Sequence, residues 1–250
     1  MKALITGATS GIGKDMAKYL ASLGYDLILV GRRKENLLEL KKELDVDVTI
    51  MPLDLSEFDN VELVYNEVRK QNIDVLINNA GFGLFGEFSK TDLETEMKMI
   101  NVNIKQVHYL TKMFLKEFIK KDKGYILNVA SSAGFMAGPK LGTYYATKNY
   151  VLKLTLAIYE ELRRNKSNVH ISALCPGPVD TEFNKVAKGE FHTKAATSEY
   201  VAKYAIDKMF KNKLIIIPTL KMKLVIFLTR LVPTKLLLKI TYNIQDRKTR

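Results

Sequence analysis

Tyr144 and Lys148 stand four residues apart in Tyr-Tyr-Ala-Thr-Lys, the spacing that puts two side chains on one face of a helix. An ammonium beside a phenol favours the phenolate and lowers the phenol's pKa from its ordinary value of about 10. Such a pair is a candidate general acid and base near neutral pH. The same spacing occurs in helices that do no chemistry, so the pair needs support from elsewhere. Ser131 lies thirteen residues before Tyr144, just past an apolar run that reads as a strand. Its hydroxyl could hydrogen-bond a substrate oxygen as charge develops there. Ser132 is a rival, and either hydroxyl could simply satisfy loop backbone.

A second candidate is Gly7-Ala8-Thr9-Ser10-Gly11-Ile12-Gly13, preceded by apolar Ala3-Leu4-Ile5 and followed by Met16, Ala17, Leu20 and Leu23 at helical spacing. This reads as strand, tight turn and helix start. Glycines let the backbone approach a diphosphate, and the helix N-terminus offers unpaired N–H groups and a positive dipole end. A P-loop is excluded, because five residues separate Gly7 from Gly13 and Asp15 follows Lys14. A nucleophile elbow is excluded, because Ser10 is three residues past Gly7 rather than two. Val30-Gly31-Arg32-Arg33 carries no acid at the end of the second apolar run. An NAD site wants a carboxylate there for the ribose hydroxyls, whereas a 2′-phosphate wants an arginine fork, so NADP is expected over NAD.

The elements that must position these residues alternate along the chain. Lys2–Ile5, Asp26–Gly31, Val46–Met51, Ile73–Ile77, Gly124–Val129 and Val169–Leu174 read as strands, and Leu214–Ile217 as a seventh. Helical spacing covers 14–23, 34–44, 61–68, a long stretch over 91–120, and 144–164. Such alternation predicts an α/β fold, a doubly wound parallel sheet with right-handed crossovers. The chemical residues all fall at the carboxyl ends of the strands, where such sheets bind ligands. No repeat or linker interrupts 1–250, and one domain is expected.

Composition narrows the reading. A single cysteine, Cys175, excludes a disulfide framework and a cysteine-based zinc site, and it reads as a buried, inert thiol. His108, His170 and His192 lack metal-ligand spacing. The chain shows no leader-like segment and no run near ~18 apolar residues, so a cytoplasmic protein without a spanning helix is expected. Net charge is +12, and residues 208–250 hold eleven Lys or Arg against one acid, Asp246. Within this tail, 221–232 and 234–244 read as helices separated by Pro233. One reading packs these helices on the domain as a lid or subunit contact. The other lays them on a membrane surface, with lysines at anionic headgroups. Nucleic acid is not expected, because the basic residues alternate with Leu, Ile and Phe. Residues 183–198, with Phe183, Val186 and Phe191, read as an apolar substrate lid.

Thr6-Gly-x-x-x-Gly11-x-Gly13, Asn78-Asn79-Ala80-Gly81, Ser131, Tyr144-x-x-x-Lys148 and Pro176-Gly177 stand in order. In that order and spacing the chain resembles the classical short-chain dehydrogenase/reductase family over roughly residues 1–217. The resemblance implies a Rossmann-type sheet in the order 3-2-1-4-5-6-7; residues 219–250 lie beyond it and are expected as extra C-terminal helices. It implies that Tyr144 exchanges the substrate proton, that Lys148 holds the nicotinamide ribose, that Ser131 rather than Ser132 stabilises the substrate oxygen, and that Asn103 is the relay asparagine. It places the cofactor along Gly7, Thr9, Ser10, Gly11, Ile12 and Gly13, Arg32 (with Arg33 a less definite neighbour), Asp54 at the adenine, Asn78, Ala80, Tyr144, Lys148, Pro176, Val179 and Thr181. The expected activity is NADP(H)-dependent interconversion of a carbonyl and a secondary alcohol, on a lipid-like or 3-oxoacyl substrate. Alternatives are oxidation of small 3-hydroxy acids or hydroxy amino acids, and a non-catalytic NADP-binding protein at a membrane surface. A homodimer through the helices of Asn103 and Tyr144 is also implied.

Overall fold

The computed structural model describes residues 1–183 and 195–246. Strands β1 (Lys2–Thr6), β2 (Asp26–Val30), β3 (Val48–Met51), β4 (Val75–Asn78), β5 (Gly124–Val129) and β6 (Val169–Leu174) alternate with helices. With β9 (Ile215–Ile216) they form one parallel sheet in the order β3-β2-β1-β4-β5-β6-β9. This is the expected Rossmann-type order; β7 (Val179–Asp180) and β8 (Ala196–Thr197) are a separate two-stranded pair that the sequence reading did not include.

Period two divides each strand between two cores. Ala3 and Ile5 of β1 pack with Met16, Ala17 and Leu20 of α1 (Gly11–Ser22) and Leu37 and Leu40 of α2 (Lys34–Lys42). Leu4 faces the other way, into a core with Val61, Val64, Tyr65 and Val68 of α3 (Phe58–Val68) and Phe114 of α5 (Val107–Lys120). Leu162 of α6 (Gly142–Arg164) joins the same core. Because both faces are covered, the strands are apolar throughout rather than alternating. The winding reverses between β1 and β4, which opens a cleft at the carboxyl ends of these strands.

Two stretches differ from expectation. The stretch 91–120 is not one regular helix: α4 (Leu93–Ile100) passes through a π-helical segment, Asn101–Gln106, before α5. There Asn103 turns inward, accepting from Phe82 N at 3.1 Å and donating to Phe82 O at 2.9 Å. Residues 198–209, assigned no element from sequence, form helix α7 (Ser198–Met209). Thr197 Oγ1 caps it by accepting from Tyr200 N, and Val201, Ala202, Ala205, Ile206 and Met209 are buried in the first core. That helical spacing was present in the sequence and could have found it.

Most of the expected lid lies outside the described residues, Val186 and Phe191 included. The tail forms α8 (Leu220–Thr229) and α9 (Thr234–Asp246), separated at Pro233 as expected. No described helix is long and apolar enough to cross a membrane.

Candidate active site

The cleft encloses about 590 Å³. Its floor is the β1–α1 loop, where Gly7 (φ +68°) and Gly11 (φ +53°) take backbone conformations that favour glycine. A Cβ on Gly13 would stand 2.3 Å from Gly7 O, and one on Gly11 2.9 Å from Thr181 Cγ2. Glycine at these positions lets the backbone turn tightly, and α1 begins within the loop, so the residues fit a bound diphosphate.

Two arginines close one end. Arg33 Nη2 pairs with Glu182 at 2.8 Å and donates to Thr9 Oγ1 at 3.3 Å. Arg32 is two-thirds exposed, and its Nη1 stands 3.9 Å from Asp54 Oδ2. Asp54 Oδ1 accepts from Ser56 N at 2.9 Å. The sequence reading overlooked Glu182 and Asn36, which hold Arg33 and the loop in place; Asn36 Nδ2 donates to Thr9 O at 3.2 Å.

At the other end Tyr144, Lys148 and Ser131 converge from α6 and the end of β5. Ser131 faces Tyr144 across the cleft wall, and its Oγ accepts from Ala133 N at 3.1 Å. Ser132 spends its backbone N–H on Pro176 O at 2.8 Å. Lys148 Nζ donates to Val129 O at 2.8 Å and lies 5.9 Å from the Tyr144 ring centre. The expected lowering of the Tyr144 pKa is reversed: burial pushes it up to about 12, and the neighbouring Ser131 only partly opposes this. Burial also lowers Lys148 to about 8. Desolvation outweighs attraction because the ammonium is turned to a carbonyl and is itself dry. Cys175 is fully buried and burial pushes its thiol up to about 12, as an inert thiol requires.

Of the residues expected here, Gly7, Thr9, Ser10, Gly11, Ile12, Arg32, Asp54, Ala80, Ser131, Tyr144, Lys148, Pro176, Val179 and Thr181 line the cleft. Three do not. Gly13 lies beneath the loop as packing space. The Asn78 side chain points into the protein, donating to Thr111 Oγ1 at 3.0 Å and Asn128 Oδ1 at 2.9 Å. Asn79, not singled out from sequence, lines the cleft instead. Asn103 is fully buried and reaches α6 by donating to Thr147 Oγ1 at 3.0 Å. Among the described residues no group of His, Cys, Asp or Glu could hold a metal ion.

A family model for short chain dehydrogenases matches residues 1–190. The chain belongs to the short-chain dehydrogenase/reductase family. It is 33% identical over 216 residues to a 7beta-hydroxysteroid dehydrogenase of Clostridium sardiniense, covering 84% of this chain and 82% of that protein. It is 31% identical over 194 residues to a human very-long-chain 3-oxoacyl-CoA reductase, covering 74% of this chain and 62% of that one. A short-chain dehydrogenase from Sphingobium yanoikuyae, solved in complex with NADPH, superposes with a TM-score of 0.82 at 30% identity, covering 88% of each chain.

The folded chain bears a cost at Lys148. Its folded pKa of about 8 lies below the ordinary lysine value of 10.5, so below pH 8 both states carry the charge and the folded state bears the full burial penalty. As pH rises from 8 to 10.5 the unfolded chain holds a proton the folded chain has lost, and stability rises. Lys148→Met should therefore stabilise the ligand-free protein at pH 7 by about 2 kcal/mol, allowing for the lost hydrogen bond. The gain should vanish near pH 10.5. Urea unfolding at the two pH values checks this, and equal stability at pH 7 would contradict the burial penalty.

Proposed function

We propose that this dehydrogenase interconverts a carbonyl and a secondary alcohol using NADP(H). The observation that carries the reading is the convergence of Ser131, Tyr144 and Lys148 at the end of a glycine-floored cleft. The nicotinamide would supply or accept the hydride at the carbonyl carbon. Tyr144, held as a phenol by its raised pKa, would give its proton to the carbonyl oxygen as negative charge appears there. Ser131 would hydrogen-bond that oxygen, and Lys148 would hold the ribose and steady the phenolate left behind. Asn103, away from the cleft, would act by fixing the Phe82 backbone against Thr147, as the relay residue that keeps α6 in register.

Gly7, Thr9, Ser10, Gly11, Ile12 and Ala80 would carry the diphosphate and ribose, Asp54 the adenine, and Pro176, Val179 and Thr181 the carboxamide. Arg32 would take the 2′-phosphate: it is more exposed than Arg33, which is engaged by Thr9 and Glu182. The NADPH complex of the Sphingobium relative supports this choice. A substrate with an apolar body fits the wall of Phe85, Leu141, Tyr145 and Phe183, and the steroid and 3-oxoacyl relatives point the same way.

Two predictions follow from these roles. In fluorescence titration NADPH should bind at least tenfold more tightly than NADH, and Arg32→Ala should remove most of that preference; equal binding by the unsubstituted protein would defeat the NADP assignment. Tyr144→Phe should cost about 10²–10⁴-fold in ketone reduction while retaining NADPH binding, and an active variant would refute the proton-donor role.

The tail favours a place of action as well. Leu220, Leu224, Phe227, Leu228, Leu231, Leu236, Ile240 and Ile244 are exposed on α8, α9 and the turn between them. Lys221, Lys223, Arg230, Lys235 and Lys239 are exposed among them. We read this surface as a peripheral contact with anionic lipid, while α5 and α6 pair two copies into a homodimer. The protein should float with vesicles containing phosphatidylserine and not with phosphatidylcholine alone, and Leu224→Glu with Phe227→Glu should abolish flotation. Failure to bind anionic vesicles would remove the membrane reading.

A further inference from the structure

Helix α9 brings one polar side chain into the cleft. Gln245 is 3% exposed and lines the cleft beside Tyr144 and Tyr145. Its Nε2 donates to the Tyr145 hydroxyl at 2.7 Å, while its Oε1 is buried with no hydrogen-bond partner. Buried polar atoms are nearly always paired, and an unpaired one on a residue that lines a cleft calls for a ligand. Thr241, one turn earlier and also buried, is already satisfied by its own helix, donating to Leu237 O at 3.0 Å and Leu238 O at 3.1 Å.

The amide is held rather than loose. Lys140 forms an ion pair with Asp246 and stands 5.4 Å from the Tyr242 ring centre, which fixes the end of α9 to the segment before α6. The Tyr145 ring covers Gly138 so closely that a Cβ there would approach it to 2.4 Å. The wall around it is otherwise apolar and aromatic: Phe85, Leu141 and Phe183 pack with Tyr144 and Tyr145, and the Tyr144 and Phe183 ring centres are 5.3 Å apart.

We propose that Gln245 is a specificity-determining residue whose Oε1 accepts a hydrogen bond from a hydroxyl or N–H on the substrate, away from the reacting carbonyl. The substrates preferred are then apolar ketones or alcohols with a second hydrogen-bond donor. This rests on the carbonyl-reductase reading of Tyr144. A site built around a polar partner discriminates against analogues that lack it, because the partner is then left unpaired.

The test uses the full-length enzyme with NADPH and aryl alkyl ketones that differ at one position only, in a hydroxyl, methoxy or methyl group. The unsubstituted enzyme should favour the hydroxyl ketone over its methyl analogue by about tenfold or more in kcat/KM. Gln245→Leu should bring that ratio near one, mainly through KM. Tyr145→Phe, which removes the hydroxyl that Nε2 donates to and leaves Oε1, should retain a preference for the hydroxyl ketone; an equal loss in both variants would mean a packing role and overturn the proposal. A ratio unmoved in Gln245→Leu, or an unsubstituted enzyme that prefers methoxy to hydroxyl, would overturn it with turnover intact. No reduction of any ketone by the unsubstituted enzyme would overturn the carbonyl-reductase reading, and this proposal with it.

Discussion

The ends of β1 and β4 are tied in a knot of hydrogen bonds on which the cleft depends. Thr6 Oγ1 accepts from Asn79 N and Ala80 N, each at 3.1 Å. Asn79 Nδ2 returns two bonds, to Thr6 O at 3.1 Å and Gly7 O at 3.0 Å. The contact is tight enough that a Cβ on Gly7 would lie 2.7 Å from Ala80 Cα. A parallel sheet at its reversal point would otherwise splay two strand ends apart with their backbone groups unmet. Here the same bonds satisfy those groups and shape the turn that leads into α1.

Beneath that knot lies a layer of buried polar side chains. Asn78, Gln106, Thr111, Asn128 and Thr155 hydrogen-bond one another across β4, β5, α5 and α6. A core of this composition is costly unless its geometry is met, so it specifies how α5 and α6 sit against the sheet. The π-helical segment belongs to the same constraint. By shifting the helical register at 101–106, it lets Asn103 reach both the Phe82 backbone and Thr147. The catalytic-end helix α6 is therefore located by buried amides rather than by packing alone.

The sheet order and most cleft residues were legible because both follow from local rules: apolar runs of strand length, glycines where backbone must pass backbone, and ligands at carboxyl ends. Asn78 and Asn79 were not separable that way. Period two places neighbours on opposite sides, but one residue past a strand end the rule no longer says which side faces the cleft. Helix α7 was legible by the same local rules, since Val201, Ala202, Ala205, Ile206 and Met209 carry helical apolar spacing. The role of Gln245 had no local signal: its contact with Tyr145 spans one hundred residues, and its isolation from other polar groups exists only once α9 is docked.

The largest departure from expectation concerns charge. Lysine next to tyrosine suggests a lowered phenol pKa, yet burial moves both groups toward their neutral forms, to about 8 for Lys148 and about 12 for Tyr144. Distance contributes, with Nζ 5.9 Å from the ring centre and engaged by Val129 O. A phenol that keeps its proton at neutral pH is poorly suited to act as a free base. It is well suited to protonate an oxygen that becomes basic only as a carbonyl is reduced, since the proton then moves when the acceptor has become the stronger base. The reverse reaction needs the phenolate, and anything that brings positive charge or hydrogen-bond donors to Tyr144 favours it. Burial of the pair thus biases the ligand-free protein toward the reducing protonation state, at the expense of carrying a buried ammonium at neutral pH.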